Sequence, residues 1–170
     1  YRAVGNVTTR LRVTDDDNGT STAQRVISVG NSPPTAAIVA PTTSFTWHVG
    51  EVINFSGTGT DPSDGTLAAT AFHWDAVMHH CPGGPEGCHE HGVQSFDDVR
   101  NGTFTAPDHE YYSYLEFRLT VTDSGGLGDT KSVSLQPEPV TNSFSSTPSG
   151  LSFSVAGLAG TTPFTRQAIV

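Results

Sequence analysis

The chain of 170 residues is long enough for one sizeable domain with additional pieces. Its formal net charge of -9 repels phosphate backbones and anionic lipids, so neither nucleic acid nor a membrane surface is a predicted partner. No run of about 18 apolar residues is present, and no membrane insertion is predicted. Hydrophobic residues make up 35%, and 18 Gly and 11 Pro suit many short strands joined by turns.

The first alternating stretch, NVTTRLRVTD, has Val7, Leu11 and Val13 as candidates for inward-facing side chains. An acidic Gly turn and the strand AQRVISV follow it, so the pattern predicts a β-hairpin. The motif returns at 118–123, where RLTVTD again precedes a Gly-containing turn and a second strand, KSVSL. This repeat predicts two related domains, with residues 1–30 contributing only the C-terminal strands of the first.

Consecutive prolines mark a linker at 31–34, because proline fixes an extended backbone and is excluded from central strands. Seven short strand candidates follow, and their number and spacing favour a complete immunoglobulin-like antiparallel β-sandwich over residues 35–136. The predicted strands span 36–40, 52–58, 71–78, 89–96, 102–105, 114–123 and 130–136.

Residues 137–170 alternate again and predict the start of a further β-domain, which makes the fold class all-β with partial domains at both ends. Partial β-domains expose edge strands that readily pair with other chains. We therefore expect the ends to be covered by other domains of the same polypeptide or by like subunits. Like subunits joined in this way would form an extracellular filament.

One stretch, MHHCPGGPEGCHEH, holds both cysteines and four of the seven histidines. Gly and Pro between Cys81 and Cys88 favour a tight reversal of the chain. In a secreted, extracellular or cell-surface protein a disulfide is the favoured state of such a pair. The alternative of two thiolate metal ligands fits less well, because the six intervening residues exceed the usual zinc-knuckle spacing.

A hairpin closed by this disulfide pairs His80 with His89, and Met78 with His91. Because side chains alternate along a strand, the three paired histidines project from one face, and His79 projects from the other. Three converging imidazoles suit Zn²⁺ or Cu²⁺. Further ligand candidates are His109 and His73, with Asp75 and Asp108 as carboxylate alternatives.

Two competing interpretations of these polar groups stay open. In the first, the histidines at this polar loop end bind no metal and serve for hydrogen bonding and stacking alone. The acidic Gly turns at 15–19 and 61–65 offer carboxylates to Ca²⁺, but turns stabilised by Asp side chains explain both. An open catalytic metal is not expected, since no acid or base pattern accompanies the histidines.

Aromatic rings can stack on sugar faces, so Trp47, Tyr111 and Tyr112 are candidate glycan contacts, with packing inside the protein as the alternative. Trp74 is predicted as the core tryptophan of the sandwich. The sequence contains no Gly-rich phosphate loop, supportive Ser-His-Asp spacing or nucleotide fingerprint. We therefore predict that the chain is not an enzyme.

Two further segments, GTGTDPSDGTLAATAFHWDA and LTVTDSGGL, resemble the polycystic-kidney-disease (PKD) type of Ig-like domain. The resemblance covers residues 34–135, and the family's final hairpin is also visible at 6–29. PKD domains usually continue Trp-Asp-Phe-Gly-Asp-Gly. Here Trp74 and Asp75 are followed instead by the stretch that holds the cysteines and histidines.

The HHC…CHEH pattern followed by APDHEYYSYLEFRLTVTDSGGL is similar to modules of secreted bacterial multidomain proteins. PKD-bearing pyrroloquinoline-quinone sugar dehydrogenases are among them. The resemblance implies a non-catalytic accessory, spacer or interaction module, with catalysis located in other domains. A carbohydrate-binding module that tethers a linked enzyme to polysaccharide is the alternative function.

Overall fold

A computed structural model describes residues 5–81, 87–155 and 157–170, and nearly all of their regular structure is β-strand. Within these ranges the one helical segment is a single 3₁₀ turn, Ala69–Ala71. None of the described segments forms a helix with the length and apolarity to span a bilayer. The strands are β1 (Gly5–Thr14), β2 (Thr20–Val29), β3 (Thr35–Ala40), β4 (Thr46–Trp47), β5 (Val52–Asp61), β6 (Gly65–Thr66), β7 (Phe72–His80), β8 (His89–Asp97), β9 (Asn101–Thr105), β10 (Ser113–Thr122), β11 (Gly128–Pro137), β12 (Pro139–Phe144), β13 (Ser152–Val155), β14 (Leu158–Thr161) and β15 (Phe164–Ile169).

Two sheets that share one hydrophobic core form the central unit. The first has the order β4-β11-β10-β7-β8 and is antiparallel except for the short β4, which runs parallel to β11. The second has the order β3-β5-β6, with β9 paired to the first half of β5. The predicted all-β class is therefore confirmed, and each of the seven predicted central strands is present within three residues of its expected ends.

The core is built by inward-facing apolar side chains at alternate positions of strands in both sheets. In β7, Trp74 and Met78 are almost completely buried, and Phe55 of β5 meets the Trp74 ring at a centroid distance of 5.0 Å. Burying each such side chain stabilises the fold by roughly 1.5–3 kcal/mol. Trp74 is thus a core tryptophan, as predicted. The inward side chains of β10 are Leu115, Phe117, Leu119 and Val121, each with no exposed surface.

The N-terminal hairpin has no second sheet packed against it in the described part of the chain. Strands β1 and β2 pair only with each other. The prediction that Leu11 and Val13 face inward is wrong, because these side chains are 65% and 57% exposed; Val7 is only partly buried. The same motif positions in β10, Leu119 and Val121, are fully buried. Burial at these positions therefore depends on a covering sheet and not on the motif itself.

The C-terminal segment forms two small antiparallel pairs, β12 with β15 and β13 with β14. Its own apolar contacts centre on Phe144 and Phe164, whose rings stack at 5.1 Å. Backbone hydrogen bonds join this segment to the sandwich, with the Val49 N–H donating to the Val170 carbonyl at 2.7 Å. The proposed division into domains at residues 30, 35 and 137 stays a prediction.

Close packing between the sheets leaves no space for a side chain at Gly57. A Cβ atom there would lie 2.5 Å from Leu119 Cδ2 and 2.9 Å from Trp74 Cζ2. We expect Gly57→Ala to lower the free energy of unfolding by about 1–3 kcal/mol, because the core must shift to accept the methyl group. The matched control is Gly92→Ala in β8, where a Cβ meets nothing within 4 Å. Equal denaturant midpoints for the two variants would contradict the packing described.

Candidate metal centre

A covalently closed hairpin carries most of the candidate ligands. Cys81 and Cys88 form a disulfide, as predicted, and β7 and β8 pair in the expected register. His80 lies opposite His89. Next to the disulfide, the Cys81 N–H donates to the Tyr112 carbonyl at 2.9 Å, which ties the end of the hairpin to the segment before β10. Most of the predicted reversal, residues 82–86, lies outside the described residues.

Three histidines converge on one face of this hairpin. The ring centroids of His80 and His89 are 5.0 Å apart, and those of His89 and His91 are 4.7 Å apart. One ring nitrogen from each of the three side chains lies within 4.8 Å of the others. Metal–imidazole bonds are about 2.0–2.1 Å long, so small rotations of these side chains would bring the three nitrogens around one ion. The cluster could therefore hold a metal.

A β-bulge places His89 and His91 on the same face as His80. From His73 to Ala76, the residues of β7 pair with β8 in a register that sets Trp74 opposite Phe96. After Ala76 this register shifts by one residue. Val93 is the extra residue, because Gln94 and Gly92 take the consecutive positions opposite β7. Without the shift, His91 would lie opposite His79 and would point to the other face of the sheet. The bulge is therefore part of the site.

A second segment brings further polar groups to the three histidines. The His109 ring lies 4.8 Å from the His80 ring, centroid to centroid. Glu110 places Oε2 3.1 Å from His109 Nδ1 and 3.7 Å from His80 Nε2. The pKa of Glu110 is held below its usual range by its own backbone N–H and by the charges of neighbouring imidazoles. Glu110 was not predicted from the sequence, which pointed to Asp108 as the carboxylate of this segment.

His79 projects to the opposite face and belongs to a separate network. Its Nε2 lies 2.7 Å from Glu116 Oε2, and its ring stacks on Tyr114 at 4.4 Å. Arg118 donates to both Glu116 and Glu90. Burial opposes ionisation of Glu116, but hydrogen bonds from Arg118, His79 and Ser132 overcome it and lower its pKa to about 2. His79, Glu90 and Glu116 form a second group of possible ligands, with an arginine already bound to both carboxylates.

The structure does not bring His73 or Asp75 to the cluster. His73 lies seven residues before His80 in β7, about 23 Å away along an extended strand. It faces the other side of the sheet, where its Nδ1 lies 2.6 Å from Asp97 Oδ1 and its Nε2 lies 3.2 Å from Asp75 Oδ2. The hydrogen bond to Asp97 raises the pKa of His73 most strongly. Both ring nitrogens are therefore already occupied by carboxylates.

The candidate glycan contacts divide into one buried residue and two partly exposed ones. Trp47 has no exposed surface, and its Nε1 donates to the Leu135 carbonyl at 3.1 Å. Its prediction as a glycan contact is wrong, because β4 inserts the ring into the core beside β11. Tyr111 and Tyr112 are partly exposed. Tyr111 lines a groove of about 350 Å³ between the segment before β10 and the C-terminal strands.

In both acidic turns, the first aspartate accepts hydrogen bonds from the backbone of its own turn, which was the alternative to calcium binding. Asp61 Oδ1 accepts hydrogen bonds from the backbone of Ser63 at 2.7 Å and Asp64 at 2.8 Å. Asp15 Oδ1 accepts in the same way from the backbone of Asp17 and Gly19. These aspartates therefore stabilise their own turns, which reverse the chain between two strands.

These features define an all-β sandwich with a disulfide-closed hairpin and a histidine cluster that could hold a metal ion. In comparisons with known proteins, no family model and no curated protein matched the chain. The chemistry of the cluster is therefore the basis for a functional proposal.

The network around Glu116 predicts a specific dependence of stability on pH. Its folded-state pKa of about 2 lies below the ordinary value of 4.5, so ionised Glu116 stabilises the fold above pH 4.5. That contribution is lost as the pH falls from 4.5 toward about 2. At pH 7 we expect Glu116→Gln to lower the free energy of unfolding by about 1–3 kcal/mol, and this difference from wild type should shrink at pH 2.5.

Urea denaturation at pH 7, 4.5 and 2.5 measures this effect. Glu138→Gln is the control, because Glu138 is exposed and lies outside the network. A Glu116→Gln variant that is equally destabilised at all three pH values would show that packing, and not ionisation, sets the contribution of Glu116.

Proposed function

We propose that the chain is a non-catalytic accessory module of a secreted or cell-surface protein, and that its hairpin histidines bind a divalent transition-metal ion. The observation that carries this proposal is the convergence of nitrogens from His80, His89 and His91 within 4.8 Å. Neutral imidazole is the commonest protein ligand for metals and suits Zn²⁺ and Cu²⁺.

The composition of the site supports nitrogen rather than sulfur ligation. Cys81 and Cys88 are joined in a disulfide, so neither offers a thiolate to the ion. The formal net charge of -9 favours the approach of cations over anions. Three imidazoles leave at least one coordination position for water or another group.

A PKD-type Ig-like sandwich is the fold that we propose for the module. Two sheets around a buried Trp74, with LTVTDSGGL leading out of β10, agree with the resemblance of the sequence to that family. The disulfide supports an extracellular setting, because such bonds persist in oxidising compartments. The exposed Leu11 and Val13 support a neighbouring domain or subunit that covers β1 and β2.

Metal titration of the chain purified without a histidine tag tests the proposed binding. After treatment with a chelator, the wild-type chain should bind one equivalent of Zn²⁺ or Cu²⁺. Removal of one ligand in His89→Ala should weaken binding by about 10-fold or more. The matched control is His48→Ala, because His48 is exposed in the loop between β4 and β5 and lies outside the cluster. The proposal fails if His89→Ala retains wild-type affinity, measured by calorimetry and by elemental analysis.

A further inference from the structure

The hairpin cluster lies against a segment that comes from another part of the chain. Residues 106–112 connect β9 to β10, and they place His109 and Glu110 beside His80. None of these contacts follows from the hairpin, because the segment reaches the site through the pairing of β10 with β7. The two elements are also joined next to the cluster by the hydrogen bond from the Cys81 N–H to the Tyr112 carbonyl.

We propose that His109 and Glu110 are ligands of the same ion, so that four imidazoles and one carboxylate form a single centre selective for Cu²⁺. The inference rests on the metal binding proposed above and names the ion and its full ligand set. The bound ion would then join the β7–β8 hairpin to the segment that precedes β10.

The arrangement of the four rings supports one centre. In the order His91, His89, His80, His109, successive ring centroids are 4.7, 5.0 and 4.8 Å apart, and the rings form an arc. Imidazoles bound to one ion in a tetragonal site have centroids roughly 4.5 Å apart for neighbouring ligands and 6.4 Å apart for opposite ones. His80 and His91, at 6.2 Å, match an opposite pair.

One gap in the arc remains between His91 and His109, whose ring centroids are 6.3 Å apart. Closing this gap needs a movement of about 2 Å, which side-chain rotation and the partly exposed segment could supply. Ser113 Oγ lies 2.9 Å from His109 Nδ1 and restrains that ring. The Glu110 carboxylate lies against His109 and His80, where it could supply an additional oxygen ligand.

The donor set favours copper over the other divalent ions. Affinity for nitrogen ligands rises through the first-row divalent metals to Cu²⁺ and falls again at Zn²⁺, and Cu²⁺ also prefers tetragonal geometry. Thiolate, which would favour Zn²⁺ or Cu⁺, is absent because both cysteines of the chain are in the disulfide.

Copper titration of the full 170-residue chain, in competition with a chelator of known affinity, tests the inference. We expect one Cu²⁺ per chain, tighter than Zn²⁺, with affinity reduced about 10-fold or more in His109→Ala and in Glu110→Gln. Electron paramagnetic resonance should show fewer coordinating nitrogens in His109→Ala and an unchanged number in Glu110→Gln. In wild type, and not in His109→Ala, Cu²⁺ should slow amide hydrogen exchange in residues 106–112.

Glu138→Gln is the control for loss of a carboxylate, because Glu138 is exposed and belongs to neither group of possible ligands. It should bind Cu²⁺ like wild type. His109→Gln repeats the test with a polar side chain if His109→Ala lacks the wild-type circular dichroism spectrum.

Wild-type affinity in the His109 and Glu110 variants, with loss of binding in His89→Ala, would overturn the inference and leave the proposed hairpin site standing. Absence of copper and zinc binding in the wild-type chain would overturn both proposals. Stronger binding of Zn²⁺ than of Cu²⁺ would overturn the assignment of the ion.

Discussion

The antiparallel pairing of β7 with β10 is the interaction on which the rest of the sandwich and its site depend. It runs from Phe72 opposite Val121 to His80 opposite Ser113. Because paired residues share a face, Trp74, Ala76 and Met78 point into the core with their partners in β10, and Asp75 and Val77 point to the other face. The series of inward-facing apolar side chains in β7 ends at Met78. His80 occupies the next inward position, beyond the core, where a polar ring is accessible to solvent and to the segment before β10.

Two constraints on β8 compete, and the bulge at Val93 reconciles them. The core requires Phe96 opposite Trp74, whereas the Cys81–Cys88 disulfide requires His89 opposite His80. These registers differ by one residue, and a strand without a bulge could satisfy only one of them. With the extra residue, an apolar side chain stays on the core face at one end of β8, and two histidines reach that face at the other end.

The two faces of the same sheet give chemically similar side chains different environments. On the outer face, His79 is held by Glu116, which is in turn held by Arg118, so the charges of that network are balanced among its own members. At the end of the inner face, His80 contacts other imidazoles and the Glu110 carboxylate. Among the described residues, no arginine or lysine forms an ion pair with this carboxylate. The cluster at the end of the inner face concentrates nitrogen and oxygen lone pairs without an arginine or lysine beside them, and this favours a metal ion more than the outer-face network does.

Much of this molecule was predictable from the sequence because the relevant signals are local. Alternation of apolar residues located the seven central strands within three residues of their ends. The Gly- and Pro-rich reversal between Cys81 and Cys88, in a chain expected to be extracellular, predicted their disulfide, and the disulfide in turn predicted which histidines face each other. The two-residue strands β4 and β6 were missed, since such short strands carry no periodic pattern.

The tertiary structure decided the features that depend on distant segments. Trp47 is buried because β4 runs beside β11, almost ninety residues later, and nothing near Trp47 in sequence signals that pairing. Leu11 is exposed although its counterpart Leu119 is buried, because burial requires a second sheet. Glu110 joins the histidines only through the pairing of β10 with β7. Periodicity and covalent closure thus specify faces and local register, whereas convergence of groups from separate strands is determined by which strands pair.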